Sequence, residues 1–169
     1  MATLGLGDLF WCEQLPPSPR AAIALAERQI AAARATGAPV TVVGSSLGGY
    51  YATHLAEKHR LRAALINPAV VAHISLAEFI GPQTNLYTGE TFEFRPEYIE
   101  ELRSIEVPRI SRPQDFLLLT ETGDEVLDYR LAVAKYAGAR QMVLEGGDHS
   151  FTRWDEYLDT VLEFAGLIP

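Results

Sequence analysis

The sequence holds one cysteine, Cys12, in 169 residues. An internal disulfide is therefore excluded, and a reducing, cytoplasmic location is expected. Cys12 itself reads as a small, partly buried apolar residue rather than a reactive thiol. Four histidines, scattered along the chain, offer no metal-ligand spacing with it. Basic residues are also few: 14 Lys and Arg against 22 Asp and Glu leave a net charge of −8. Nucleic acid and anionic membranes both demand a basic face, so neither is expected as a partner. No apolar run approaches the roughly 18 residues of a membrane span, and residues 1–9 lack a positively charged leader. Internal repeats and low-complexity tracts are missing too. What remains is an ordinary globular composition, 48% hydrophobic and 21% charged, in a chain long enough for one domain with a sizeable core.

The chain is organised around residues 40–57, V-T-V-V-G-S-S-L-G-G-Y-Y-A-T-H-L-A-E. Four β-branched residues open it and suit a strand buried on both faces. A helical pattern rich in Ala, Leu and Tyr closes it. Between them, Gly44-Ser45-Ser46-Leu47-Gly48 is a G-x-S-x-G motif with its serine at 46. In a strand–turn–helix context this is a nucleophile elbow, a strained turn that holds the serine oxygen clear of the backbone. A Cβ at 44 or at 48 is expected to collide with the neighbouring strand or helix. The turn also aims a helix N-terminus at the reacting atom, so the Leu47 N–H faces a developing oxyanion. A dinucleotide loop would need Gly at 46, and a phosphate-binding G-K-[ST] is absent, so no cofactor is implied.

Around this motif the pattern alternates strand and helix. Residues 9–15 suggest a short strand ended by Pro16-Pro17. Ser18 and Pro19 cap a helix that stops near Gly37. Residues 62–67 form a second buried strand. An excursion over about 70–112 follows, with a Ser75-x-x-Glu78 capping box, a hairpin over 86–94 and a helix from Pro96. An excursion of this length is usually functional, and it reads as a small cap over the active site. Residues 116–120 are a strand, 129–137 a helix ended by Gly138, and 140–144 the last strand. A final helix, capped by Thr152, buries Trp154, Tyr157, Leu158, Val161 and Leu162 on one stripe. Such alternation specifies an α/β fold with a mostly parallel sheet and helices on both faces.

A serine hydroxyl needs a base to take its proton. In α/β-hydrolases the chain order is serine, acid, histidine, and Ser46, Asp124 and His149 obey it, each directly after a strand. His54, His59 and His73 fit less well: the first two lie on or just past the elbow helix, on a solvated face, and His73 lies at the start of the cap. Asp124 has rivals in Glu125, Asp128 and Asp148. Asp128 reads as a favourable charge entering a helix, and Asp148 adjoins the histidine. Asp124 is preferred on the D-x-V spacing after its strand.

Several stretches resemble the YqiA/YcfP-like family of small bacterial esterases in the α/β-hydrolase superfamily. They are Q-L-P-P-S-P at 14–19, V-G-S-S-L-G-G-Y-Y-A-T at 43–53, L-I-N-P-A-V at 65–70 and Y-T-G-E at 87–90. T-G-D-E-V-L-D-Y at 122–129, K-Y-A-G-A at 135–139 and G-G-D-H-S-F at 146–151 complete the set. The resemblance implies a three-layer α/β-hydrolase sandwich that hydrolyses short acyl esters, with Ser46, Asp124 and His149 on the triad positions. The family pattern also opens with a strand ending in a Y-L-H-G-F-like motif, whose loop supplies a second oxyanion N–H. Nothing like it precedes Gln14. A gap is therefore expected between the strand at 9–15 and that at 40–43, with unpaired backbone groups on both sides. The expected substrate is a small-molecule acyl ester or thioester. The competing reading is a weak or inactive relative that binds a ligand or protein, and self-association through exposed strand edges is expected of either.

Overall fold

The computed structural model of the protein describes residues 7–85 and 89–169. Its centre is a four-stranded parallel sheet in the order β1 (Thr41–Ser45), β2 (Arg62–Ile66), β5 (Phe116–Glu121) and β6 (Arg140–Leu144). The alternation of apolar side chains across β2 and β5 explains the layering. Ala63, Leu65, Phe116 and Leu118 face one core, while Ala64, Ile66, Leu117 and Leu119 face another. On the first face lie α1 (Pro19–Ala35), α2 (Leu47–His59) and α5 (Tyr129–Lys135); α6 (Trp154–Ala165) covers the second. Full burial of each β5 leucine contributes about 1.5–3 kcal/mol, and Leu117, Leu118 and Leu119 are all fully buried.

Local chemistry sets the helix ends. The Ser18 hydroxyl accepts the Ala21 N–H at 3.2 Å and Pro19 occupies the first turn of α1. Gly37, at φ +79°, lets the chain turn back towards β1. Asp128 caps α5 through the Arg130 N–H at 3.0 Å. The cap expected at Thr152 is not formed: α6 starts after Arg153, without a side-chain cap.

The excursion over 70–112 contains α3 (Ala72–Ser75), an antiparallel hairpin of β3 (Gly81–Thr84) with β4 (Thr91–Phe94), and α4 (Pro96–Ser104). Ser75 ends a helix rather than opening one. The hairpin begins five residues before the expected 86, and part of the Y-T-G-E stretch, with Leu86, lies outside the described residues. Tyr98, Ile99 and Leu102 bury one side of α4. The segment is tied to the elbow helix by Tyr50 Oη donating to the Leu102 carbonyl (3.0 Å) and by Ser111 Oγ donating to Glu57 (2.6 Å).

Residues 9–15 form no strand. A 3-10 turn at Gly7–Leu9 leads into an unpaired run in which Leu9, Phe10, Trp11 and Cys12 are exposed. Cys12 is thus not the partly buried residue expected. The predicted gap with two open sides is instead a single free edge, because β1 pairs only with β2 among the described residues. On the α6 side of that edge an open trough is lined by Val43, Gly44, Ile66, Phe151 and Trp154, and Val43 is 48% exposed.

Candidate active site

The turn between β1 and α2 holds Ser46 at φ 52°, ψ −123°. Such a conformation costs a non-glycine residue about 1–3 kcal/mol, and it persists only where the surroundings fix it. Here they do so on both sides of the residue. The Ser46 N–H donates to the Ile66 carbonyl at 3.0 Å, and the Ser46 carbonyl accepts from Gly49, Tyr50 and Ala69 at 2.9, 3.4 and 3.0 Å. Gly44 is required, since a Cβ there would stand 2.1 Å from the Gly48 carbonyl oxygen. Gly48 departs from expectation: a Cβ on it would meet nothing within 4 Å, and the second steric demand falls on Gly49, 2.6 Å from Pro68 Cβ.

Asp124 follows β5. Its Oδ1 accepts the N–H groups of Val126 and Leu127 at 2.9 and 2.8 Å, which fixes the carboxylate across its own turn. Its side chain is 1% exposed, that of His149 21%. His149 sits in the loop between β6 and α6, and its imidazole spans the two other residues. Nδ1 lies 3.0 and 2.9 Å from the Asp124 oxygens, and Nε2 lies 2.9 Å from Ser46 Oγ. With Nδ1 donating to the carboxylate, Nε2 is left as the acceptor that faces the serine hydroxyl.

The structure thus brings Ser46, Asp124 and His149 into one hydrogen-bonded chain. Leu47 is the first residue of α2, so its N–H belongs to the first turn, where amides have no intrahelical acceptor. None of the rival acids bonds the His149 imidazole. Asp128 bonds Arg130, and Glu125 Oε2 accepts the His149 backbone N–H at 3.0 Å. Asp148 Oδ1 is buried without a hydrogen bond. Nor do the other histidines reach the site. His54 is not on a solvated face: it is half-buried, with Nδ1 3.1 Å from the Ile105 carbonyl, and burial holds its pKa below the ordinary value. His59 pairs with Glu27 at 2.8 Å, and His73 Nδ1 lies 3.8 Å from Glu106.

Behind the elbow helix, Thr53 Oγ1 donates to the Gly49 carbonyl, so the 2.8 Å contact with Tyr136 is donated by the phenol. Burial pushes the Tyr136 hydroxyl up to about 12, keeping it a donor. Two polar residues escaped the sequence reading, Asn67 and Glu121, both buried beneath the His149 loop. The available signal was a carboxylate closing an otherwise apolar strand, F-L-L-L-T-E. Among the described residues, no group of three or more His, Cys, Asp or Glu is arranged to hold a metal ion, and no helix is long and apolar enough to cross a membrane.

Comparison with known proteins follows the same outline. The family described as Uncharacterised protein family (UPF0227) matches residues 10–166. Among solved structures, the chain is similar to a monoacylglycerol lipase from Paleococcus ferrophilus, at 16% identity and TM-score 0.60, covering 88% of this chain and 75% of that one. It is similar to the esterase domain of a Rhodothermus marinus protein, at 22% identity and TM-score 0.54, covering 85% and 64%. An alpha/beta superfamily hydrolase from Oenococcus oeni PSU-1 matches at 13% identity and TM-score 0.55, covering 89% and 76%. The chain therefore belongs to the UPF0227 family, and its fold is that of the α/β-hydrolase superfamily.

Proposed function

We propose that this member of the family is a serine hydrolase that cleaves short acyl esters or thioesters through an acyl-Ser46 intermediate. The observation that carries the reading is the His149 imidazole, bonded at one nitrogen to Asp124 and at the other to Ser46 Oγ. In the first half-reaction Nε2 takes the Ser46 proton as Oγ attacks the acyl carbon. The resulting imidazolium is stabilised by Asp124 and returns the proton to the leaving alkoxide or thiolate. Water then enters, loses a proton to Nε2, and releases the acid and the serine. The Leu47 N–H faces the oxyanion in both tetrahedral states.

Support also comes from the strained φ of Ser46, since strain of this kind collects where geometry serves chemistry. β1 is an edge strand, so among the described residues no neighbouring strand loop lies beyond it to add a second N–H. Loss of one oxyanion donor costs about 10²–10³ in kcat, and slow turnover is expected. That same bare flank favours the second reading, a ligand- or protein-binding relative with little catalysis. The deciding experiment is turnover of p-nitrophenyl acetate and butyrate by the wild type and Ser46→Ala, with fluorophosphonate labelling alongside. Labelling and turnover that both vanish in Ser46→Ala support the hydrolase. Equal rates in the two proteins overturn it.

A further inference from the structure

Glu121 is the last residue of β5 and is fully buried, yet the mechanism above does not use it. Its two carboxylate oxygens are divided between two donors. Oε2 accepts the Asp148 N–H at 2.9 Å, inside the loop that carries His149, and Oε1 accepts Arg153 Nε at 2.6 Å. Arg153 Nη2 reaches on to the Glu145 carbonyl at 2.9 Å, so one guanidinium ties the start of the loop to its exit. The Glu121 N–H donates to Asn67 Oδ1 at 2.9 Å, and Asn67 Nδ2 donates to the carbonyls of Asp148 and His149 at 3.0 and 3.2 Å.

The loop is shaped around this carboxylate. Gly147 has φ +76°, and a Cβ on it would lie 2.1–2.3 Å from the carboxyl atoms of Glu121. A buried carboxylate bears a heavy desolvation penalty, which only good geometry and full hydrogen bonding offset. A plain apolar contact would stabilise the strand end at less cost. What the carboxylate adds is direction, because its Oε2 fixes the Gly147–Asp148 peptide, one residue ahead of His149.

We propose that Glu121 is the positioning residue for His149: with Asn67 and Arg153 it clamps loop 146–149 and sets the imidazole between Asp124 and Ser46. The inference rests on the hydrolase reading for its kinetic consequence, but the geometry it asserts exists without turnover. Glu121 touches neither Ser46 nor the imidazole in its hydrogen bonds, so it acts through the loop.

The test compares wild type with Glu121→Ala, Glu121→Gln and Arg153→Lys. Ester turnover is normalised to sites titrated with a fluorophosphonate, and the downfield proton resonance of His149 Nδ1–H is recorded for each. For Glu121→Ala the expected result is a fall in kcat per titrated site of about 10²-fold, with little change in KM, and loss of the downfield resonance. Glu121→Gln keeps one acceptor for two donors and should fall between. A kcat per site within about twofold of wild type in Glu121→Ala, with the resonance retained, overturns the proposal. A purely structural role would lower the titratable fraction and leave kcat per site alone. If Glu121→Ala does not fold, Arg153→Lys decides: it keeps the charge and loses the tie to Glu145, so a several-fold fall supports the clamp and an unchanged rate refutes it. Should the wild type be neither labelled nor active, the hydrolase reading fails by itself. The resonance, present in wild type and lost from the Glu121 variants, still judges the clamp.

Discussion

Ser46 stands at the end of β1, one edge strand of the sheet, whose Val43 is 48% exposed; Asp124 follows β5, all six residues of which are buried, and His149 follows β6, the other edge strand. The two halves of the site are held by different forces. The serine is held locally, by a strained turn, by glycines that let α2 approach β1, and by the bonds of its own peptide. The histidine is held by Asn67, just past the end of β2, by Glu121 at the end of β5 and by Arg153 at the N-cap of α6. A nucleophile needs one oxygen in one place, which a turn can supply. An imidazole must satisfy two partners at once, and a loop with two left-handed glycines requires outside anchors to do so.

The largest effect is expected from breaking the chain of groups where the halves meet. Ser46→Ala and His149→Ala should each lower ester kcat by several orders of magnitude, roughly 10⁴-fold or more. His54→Ala and His73→Ala should retain most activity, since neither side chain reaches the triad. Asp124→Asn should fall nearly as far with little change in KM, and Asp128→Asn hardly at all. Steady-state kinetics on p-nitrophenyl butyrate checks all of these, and a more damaging Asp128→Asn would move the acid to the helix cap.

The second effect separates local from remote support. Gly44→Ala should cost about 1–3 kcal/mol or more through overpacking, with loss of turnover, because its Cβ would lie 2.1 Å from the Gly48 oxygen. Gly48→Ala has free space and should keep both fold and rate. Urea denaturation with kinetics on the two variants measures the contrast, and equal damage would mean the elbow is not held by this approach. The third compares the two strands directly. Leu118→Ala in β5 should destabilise by about 2–5 kcal/mol, and Val43→Ala on the open face by about 0.5 kcal/mol or less. Similar losses in urea would show that Val43 is covered in solution.

The smallest effect concerns pH, away from the site. Burial lowers the His54 pKa, with Lys58 and His59 adding to the shift and Glu27 and the Ile105 carbonyl opposing it. A group with a depressed folded pKa stabilises fully above its unfolded value, near 6.5, and loses that contribution as pH falls through the folded value. Stability should therefore decline below about pH 6.5, and His54→Gln should flatten that part of the profile. A variant with the wild-type slope would assign the decline to other groups.

Much of the Ser46 half of the candidate site was legible in the sequence, because its determinants lie within a few residues. A β-branched run, G-x-S-x-G and an Ala-rich helix state the strand, turn and helix in order. Asp124 and His149 were legible as strand-end residues in the right order. Glu121 and Asn67 were not, because a buried polar group means nothing until a distant loop brings its partners: an N–H some 27 residues away for Glu121 and two carbonyls some 80 residues away for Asn67. The same limit explains the misreadings. Residues 9–15 have strand-like composition but no neighbour to pair with, and Ser75 has a capping pattern but ends a helix set by Val71 and Ala72. Local propensity states what a segment can form, and pairing decides what it does.

The free edge of β1 also sets a clock on the strand that leads to Ser46. Since the Ser46 N–H bonds the Ile66 carbonyl, strand alternation turns the amides of Gly44 and Val42 towards β2, and those of Ser45 and Val43 away from it. Deuterium should therefore enter this one strand at two speeds. The outward amides should exchange on the timescale of open peptides, and the inward ones only when the sheet opens. The β5 amides, sandwiched between strands, should be slowest of all. Alternating labels along 42–46 would read the bare edge one residue at a time, and uniform slowness would reveal a strand laid against it.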